Sequence, residues 1–251
     1  MTRTNFLLFI FAALIPFMTQ AQERVDIFAD PENLKVLPED ISSADLSATM
    51  RGIAMGLGVR CETCHVGEPN TPLHTFDFSS DEKEMKQKAR LMLQMLNEIN
   101  GDLVPRLDDV EKANRVSVRC MTCHRGQSKP NLIEDVIDQQ LAENGVEAAV
   151  AEYEKLREEY YGSHSYDFSE FVLPMHTQSL AANDQSDAAI AFAEVNAKYF
   201  PESSYTTFVL GELYSATGQT ELAIKNLTRS MELNPRAEPR IRPMIEELKA
   251  E

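Results

Sequence analysis

Every cysteine of this 251-residue chain falls in one of two runs, Cys61-Glu62-Thr63-Cys64-His65 and Cys120-Met121-Thr122-Cys123-His124. Cys-x-x-Cys-His is the attachment pattern of c-type haem. Two thiols three positions apart sit on one turn, where each can form a thioether with a haem vinyl group. The histidine that follows is held where its imidazole can ligate the iron from one face. The expectation is two covalently bound haem c groups. Cys61, Cys64, Cys120 and Cys123 would anchor them, with His65 and His124 as proximal iron ligands.

Other chemistries can use four cysteines. Two structural disulfides suit an exported chain. A zinc ribbon places its second Cys pair about 15–20 residues after the first, whereas 55 residues separate Cys64 from Cys120 here. A thioredoxin-like redox pair needs a strand-rich setting, and the sequence offers none. Two identical runs with no cysteine left over favour haem.

The elements that must position these groups read as helices. Ser42 or Ser43 suits an N-cap, and Leu46, Met50, Ile53, Ala54 and Leu57 then recur at helical spacing. Met50 lies near the middle of that stripe and Met55 on the opposite face. Gly56 and Gly58 are expected to end the helix and turn the chain into Cys61. Residues 66–80 read as loop. A second helix is expected from Ser80-Asp81, with Met85, Ala89, Met92, Leu96 and Ile99 as its stripe and Lys86, Lys88 and Arg90 mostly off it; Asn100-Gly101 would close it. A connection containing Pro105 then leads to the second motif. A methionine opposite a histidine raises the iron potential and closes the iron to substrates. Met50 and Met92 are placed for that role, although a methionine on an apolar stripe also serves simply as core. His74, His164 and His176 are the competing ligands.

Composition bounds the rest. Ten Gly, no Trp and 43% apolar residues with long periodic stretches imply an all-α protein. A net charge of -16 argues against nucleic acid as a partner, because phosphate binding needs clustered Lys and Arg. Residues 1–21 carry Arg3, an apolar run from Phe6 to Phe17 and a small-residue end at Ala21, the layout of a cleaved export signal. That run is short of the ~20 apolar residues a span requires, and no later segment could span after signal removal. A periplasmic or otherwise exported location follows.

Two modules are expected, residues 22–130 and 131–251. The first holds 14 Lys and Arg against 18 Asp and Glu, the second 9 against 22. The second module is also self-similar. Residues 145–160, 185–201 and 219–235 superpose on Ala149, Ala189 and Ala223. Leu210, Gly211, Tyr214, Ala223 and Pro235 stand at tetratricopeptide-repeat spacing, and Ala189 and Pro201 give a weaker copy. Short tetratricopeptide-like hairpins, capped by a helix over 236–250, are the expected architecture.

The stretches MRGIAMGLGVRCETCH (50–65), ARLMLQMLNEIN (89–100) and CMTCHRG (120–126) together resemble the cytochrome c subunit of photosynthetic reaction centres, or its shorter relatives in non-photosynthetic bacteria. The resemblance covers about residues 42–126. It implies a multihaem cytochrome module in which the helix before a haem supplies an axial methionine, here Met50 and Met92. Of the run Met92-Leu93-Gln94-Met95, the first methionine is the family's ligand position. The chain departs from the reaction-centre subunit in having two haem motifs in place of four, no lipidated cysteine and an added repeat domain. The function expected is electron transfer between redox protein partners, docked through the repeats or elsewhere. The alternatives are a haem peroxidase or nitrogen-oxide reductase with one open iron, and a haem-based sensor or assembly protein that binds partners through its repeats.

Overall fold

The computed structural model describes residues 25–107 and 117–250. The expected export signal, residues 1–21, lies outside them. The described residues form ten α-helices, with a single isolated antiparallel bridge between Val66 and Asp77 in the long connection from the first to the second. The class is all-α, as the periodicity predicts.

Helix α1 (Ser43–Leu57) starts where expected: Ser42 is in extended backbone and its hydroxyl accepts from the Asp45 N–H at 3.1 Å, a cap worth about 1 kcal/mol. Gly58 ends it at φ 65°, its N–H turned back to the carbonyls of Ala54 and Met55. Gly56, expected as a second terminator, is instead a buried residue inside α1.

Helix α2 (Glu84–Glu98) begins later than the sequence led us to expect. Ser80 and Asp81 precede it, because the Asp81 carboxylate is engaged elsewhere, by Lys35 at 2.6 Å, Arg90 at 2.7 Å and Lys86 at 3.4 Å. Nor does Asn100-Gly101 close it. The chain winds on through a wide turn (Ile99–Leu103) and a 3-10 turn (Val104–Leu107). The Asn100 amide accepts from the Val118 N–H and donates to the Val118 carbonyl, both at 2.8 Å, which ties the end of α2 to the approach to the second motif. That motif is itself a short helix, α3 (Cys120–His124).

Three helical hairpins follow: α4 (Ile133–Asn144) with α5 (Val146–Tyr160), α6 (Val172–Ala182) with α7 (Ser186–Tyr199), and α8 (Ser204–Ala216) with α9 (Thr220–Leu233). Helix α10 (Glu238–Ala250) packs on α9. The three self-similar segments are the second helices of these hairpins. Ala149, Ala189 and Ala223 are each wholly buried. Their N–H groups bond to Gly145, Gln185 and Gln219 in the same register, at 3.1, 3.0 and 3.0 Å. In the last hairpin a Cβ on Gly211 would meet the Leu227 side chain at 2.6 Å, so only glycine lets α8 and α9 come this close.

The two halves are built differently. One apolar core runs from Ile133 to Leu248. Ahead of it, the buried apolar side chains among the described residues are Leu46 and Phe76, and many of the other apolar residues there line a cavity.

Candidate haem sites

The first motif leaves α1 through Gly58 and Val59, the Val59 N–H reaching the Ala54 carbonyl at 3.0 Å. Cys61–Thr63 makes one 3-10 turn, and the N–H groups of Cys64 and His65 both bond to the Cys61 carbonyl, at 3.2 and 2.9 Å. This turn places Cys61, Cys64 and His65 on the wall of a cavity of about 490 Å³, within the usual range of cofactor sites, about 300–1,000 Å³. Met50 lines the same cavity, with Leu46, Ile53 and Ala54 from its stripe. The expected stripe of α1 is therefore the cavity face, and Met55, on the other side, is 69% exposed.

The floor is aromatic. The His65 ring meets Phe78 edge-on at 5.0 Å, and Phe78 stacks on the buried Phe76 at 5.8 Å. Gly67 makes room for them, since a Cβ there would lie 2.4 Å from the Phe76 ring. Burial holds the His65 imidazole below its ordinary pKa. The charge of Lys86 acts the same way, the Phe78 backbone opposes, and Arg90 adds a smaller push downward. The result is the neutral ring that a metal ligand requires. Its Nδ1 is buried without a hydrogen-bond partner.

Helix α2 faces this cavity with Lys86, Ala89, Arg90 and Leu93, which corrects the expected stripe. Lys86 is buried because its ammonium donates to the carbonyls of Phe78, Ser79 and Ser80 at 2.9, 3.2 and 2.7 Å, while its alkyl stem covers apolar surface. Met92 is not on this wall; it is 39% exposed, beside the exposed Leu91 and Met95.

The second motif is a full helical turn. Cys120 is half-buried and Cys123 exposed. After His124 the chain turns at Arg125 (φ 51°) and Gly126 (φ 83°), which brings the Gln127 carbonyl within 2.9 Å of His124 Nδ1. A carbonyl only accepts, so Nδ1 carries the proton and Nε2 keeps its lone pair for a metal.

Both motifs dock on the C-terminal end of α1. The Gly126 N–H donates to the Gly56 carbonyl at 2.9 Å. A Cβ on Gly56 would meet Cys120 Cβ at 2.6 Å, and one on Gly58 the Gly126 carbonyl oxygen at 2.1 Å. The sequence signalled these glycines but not their partner.

The rival cysteine chemistries fare poorly. All four thiols are free, and no three His, Cys, Asp or Glu side chains converge as a metal site among the described residues. Burial raises the thiol pKa of Cys64 and of Cys120, opposite to the lowered value of a redox-active pair. Of the competing histidines, His74 and His164 are exposed and His176 on α6 has its Nε2 3.0 Å from the Asp138 carboxylate of α4; none lines the cavity.

Haem c suits what is present. The cavity is apolar where the macrocycle needs it. Five cations (Lys35, Arg51, Arg60, Lys86, Arg90) against three carboxylates (Asp30, Glu32, Asp77) line it, in a chain of net charge -16, an excess suited to two propionates. Arg51 and Arg60 pair with no carboxylate among the described residues.

The family model of the photosynthetic reaction centre cytochrome c subunit matches residues 12–206. The chain belongs to this family. The match takes in both attachment motifs, continues past residue 130 through α7 and ends in α8. Membership carries covalently bound haem c and a cytochrome's role in electron transfer. No curated protein and no solved structure matches the chain. No helix among the described residues is long and apolar enough to cross a membrane.

Proposed function

We propose that the chain is an exported two-haem electron carrier that passes single electrons between redox protein partners. The observation that carries this reading is the convergence of Met50, Cys61, Cys64 and His65 on one cavity. The wall thus offers two thiols for covalent attachment and two axial donors of different chemistry. A haem iron held between a thioether and an imidazole exchanges electrons without an open position for substrate.

The chain's own residues do the positioning. His65 and His124 are proximal ligands, the second aimed by the Gln127 carbonyl. Met50 is the distal ligand of the first haem and Met92 that of the second. Phe76, Phe78 and the α1 stripe exclude water from the first site, and Arg51 and Arg60 are its propionate partners. The docking of α3 on α1 keeps the two attachment points in one body, so that the pair serves as a two-site path.

The hairpins of 131–251 belong, in this reading, to a tetratricopeptide-like module that docks a protein partner; their common register and the small residues at their contacts support it. Residues 1–21 are the export signal, and the periplasm or its equivalent is the location.

The test is spectroscopic. The ferric protein should show a methionine–iron charge-transfer band, and the ferrous protein should not take up carbon monoxide. Met50→His and Met92→His should each lower the potential of one haem only, because a thioether favours ferrous iron more than a second imidazole does. Met55→Leu and Met95→Leu should be silent. Ready binding of carbon monoxide at either iron would replace the carrier by a haem enzyme.

A further inference from the structure

Lys86 is the charge the electron-transfer reading leaves without a task. Its side chain is 10% exposed and its ammonium group is spent on three backbone carbonyls, so it can neither swing into solvent nor serve as a flexible propionate clamp. It lines the same cavity as Met50 and His65. Arg90, one helical turn on, is 13% exposed and lines it too, held by the Asp81 carboxylate and the Asn33 carbonyl. Both cations act through space on the His65 ring.

The counter-charge is incomplete. Asp81 is shared among Lys35, Lys86 and Arg90, three cations on one carboxylate. Of the three carboxylates on the wall, Asp30 and Glu32 are exposed, where water and salt screen them, and that of Asp77 is taken up by the Ser79 hydroxyl and the N–H groups of Ser79 and Ser80. At the second motif the neighbouring cations among the described residues, Arg119, Arg125 and Lys129, are all exposed, where water and salt screen them. A fixed positive charge inside a low-dielectric wall opposes the additional positive charge of ferric iron.

We propose that Lys86 is a positioning charge that raises the reduction potential of the haem on Cys61 and Cys64 above that of the haem on Cys120 and Cys123, giving the pair a direction in which electrons settle on the first. This rests on the two-haem reading, and the experiment separates the two claims. Intact mass of the loaded, full-length protein counts the haems. A redox titration of the same sample then gives two one-electron components, and the one that Met50→His moves is the first haem.

That component should be the higher of the two. Lys86→Gln should lower it alone, with the ferrous-to-ferric ratio at fixed ambient potential falling about tenfold, about 59 mV for one electron. Lys86→Arg should restore it. Asp81→Asn, which removes the shared negative charge, should move it the opposite way, upward, a reversal that simple loosening of the fold does not produce. Two haems with the first the lower of the pair, with Lys86→Gln leaving it in place, or with both components falling equally, would overturn the proposal. If Lys86→Gln does not load haem, Asp81→Asn decides: a fall or no change sinks the idea. Fewer than two haems would instead count against the two-haem reading itself.

Discussion

At the end of α1, the absence of two methyl groups decides whether both attachment motifs can share one body. Gly56 lies against Cys120 and Gly58 against Gly126, with no room for a Cβ at either. Gly56→Ala should therefore push α3 away and cost about 1–3 kcal/mol, as overpacking does, with haem content at the second motif falling more than at the first. Gly52, on the same helix with open space around its Cα, is the control: Gly52→Ala should stabilise by about 0.5–1 kcal/mol. Thermal melts and a haem-to-protein ratio read both outcomes. Asn100→Ala should cost about 1–3 kcal/mol in the same melt, because it strips Val118 of both its partners. Residue types at the site were legible: the Cys-x-x-Cys-His runs name their own chemistry, and Met50 could be placed from the α1 stripe. Gly56 and Asn100 were misread as helix terminators because their partners, Cys120 and Val118, are distant in sequence and only tertiary structure brings them near.

Among the elements, periodicity was a good guide in α1 and in the hairpin helices and a poor one in α2. The hairpin helices α5, α7 and α9 fall on the three self-similar segments, with Ala149, Ala189 and Ala223 in equivalent buried places. Helix α2 misled, because its cavity face includes Lys86 and Arg90, which a hydrophobic pattern counts as solvent positions. The core of the hairpins also holds a titration that can be tested. Burial and the neighbouring Glu194, which accepts from its hydroxyl, push the Tyr214 phenol up to about 12. The folded chain keeps this proton after the unfolded chain has released it near the ordinary value of 10.0. The stabilisation is thus full below about pH 10 and is lost as pH rises toward about 12. Urea midpoints measured across that window should fall more steeply for the wild type than for Tyr214→Phe; parallel curves would show that Tyr214 does not titrate in this way.

Taken whole, the chain carries a cavity lined by residues between Ile27 and Leu93 and a continuous apolar core between Ile133 and Leu248. A hydrogen bond from Ser165 Oγ to the Arg125 carbonyl, 3.1 Å, links the loop after α5 to the turn beside His124. A chain of residues 22–130 alone should keep the haem spectrum of the full protein, and loss of axial ligation in it would place the hairpins in the second haem pocket. The all-α class and the hairpin register could be read from sequence because local periodicity sets them. The enclosure of the first site could not, because Asn33, Phe76 and Asp77 reach it only through tertiary contacts. Whether both motifs carry haem is read from the intact mass of protein produced with a haem-ligation system. The chain should be heavier by two covalently attached haems, with no free thiol left to alkylate. A chain at its polypeptide mass, less four hydrogens for two disulfides, would contradict the two-haem reading.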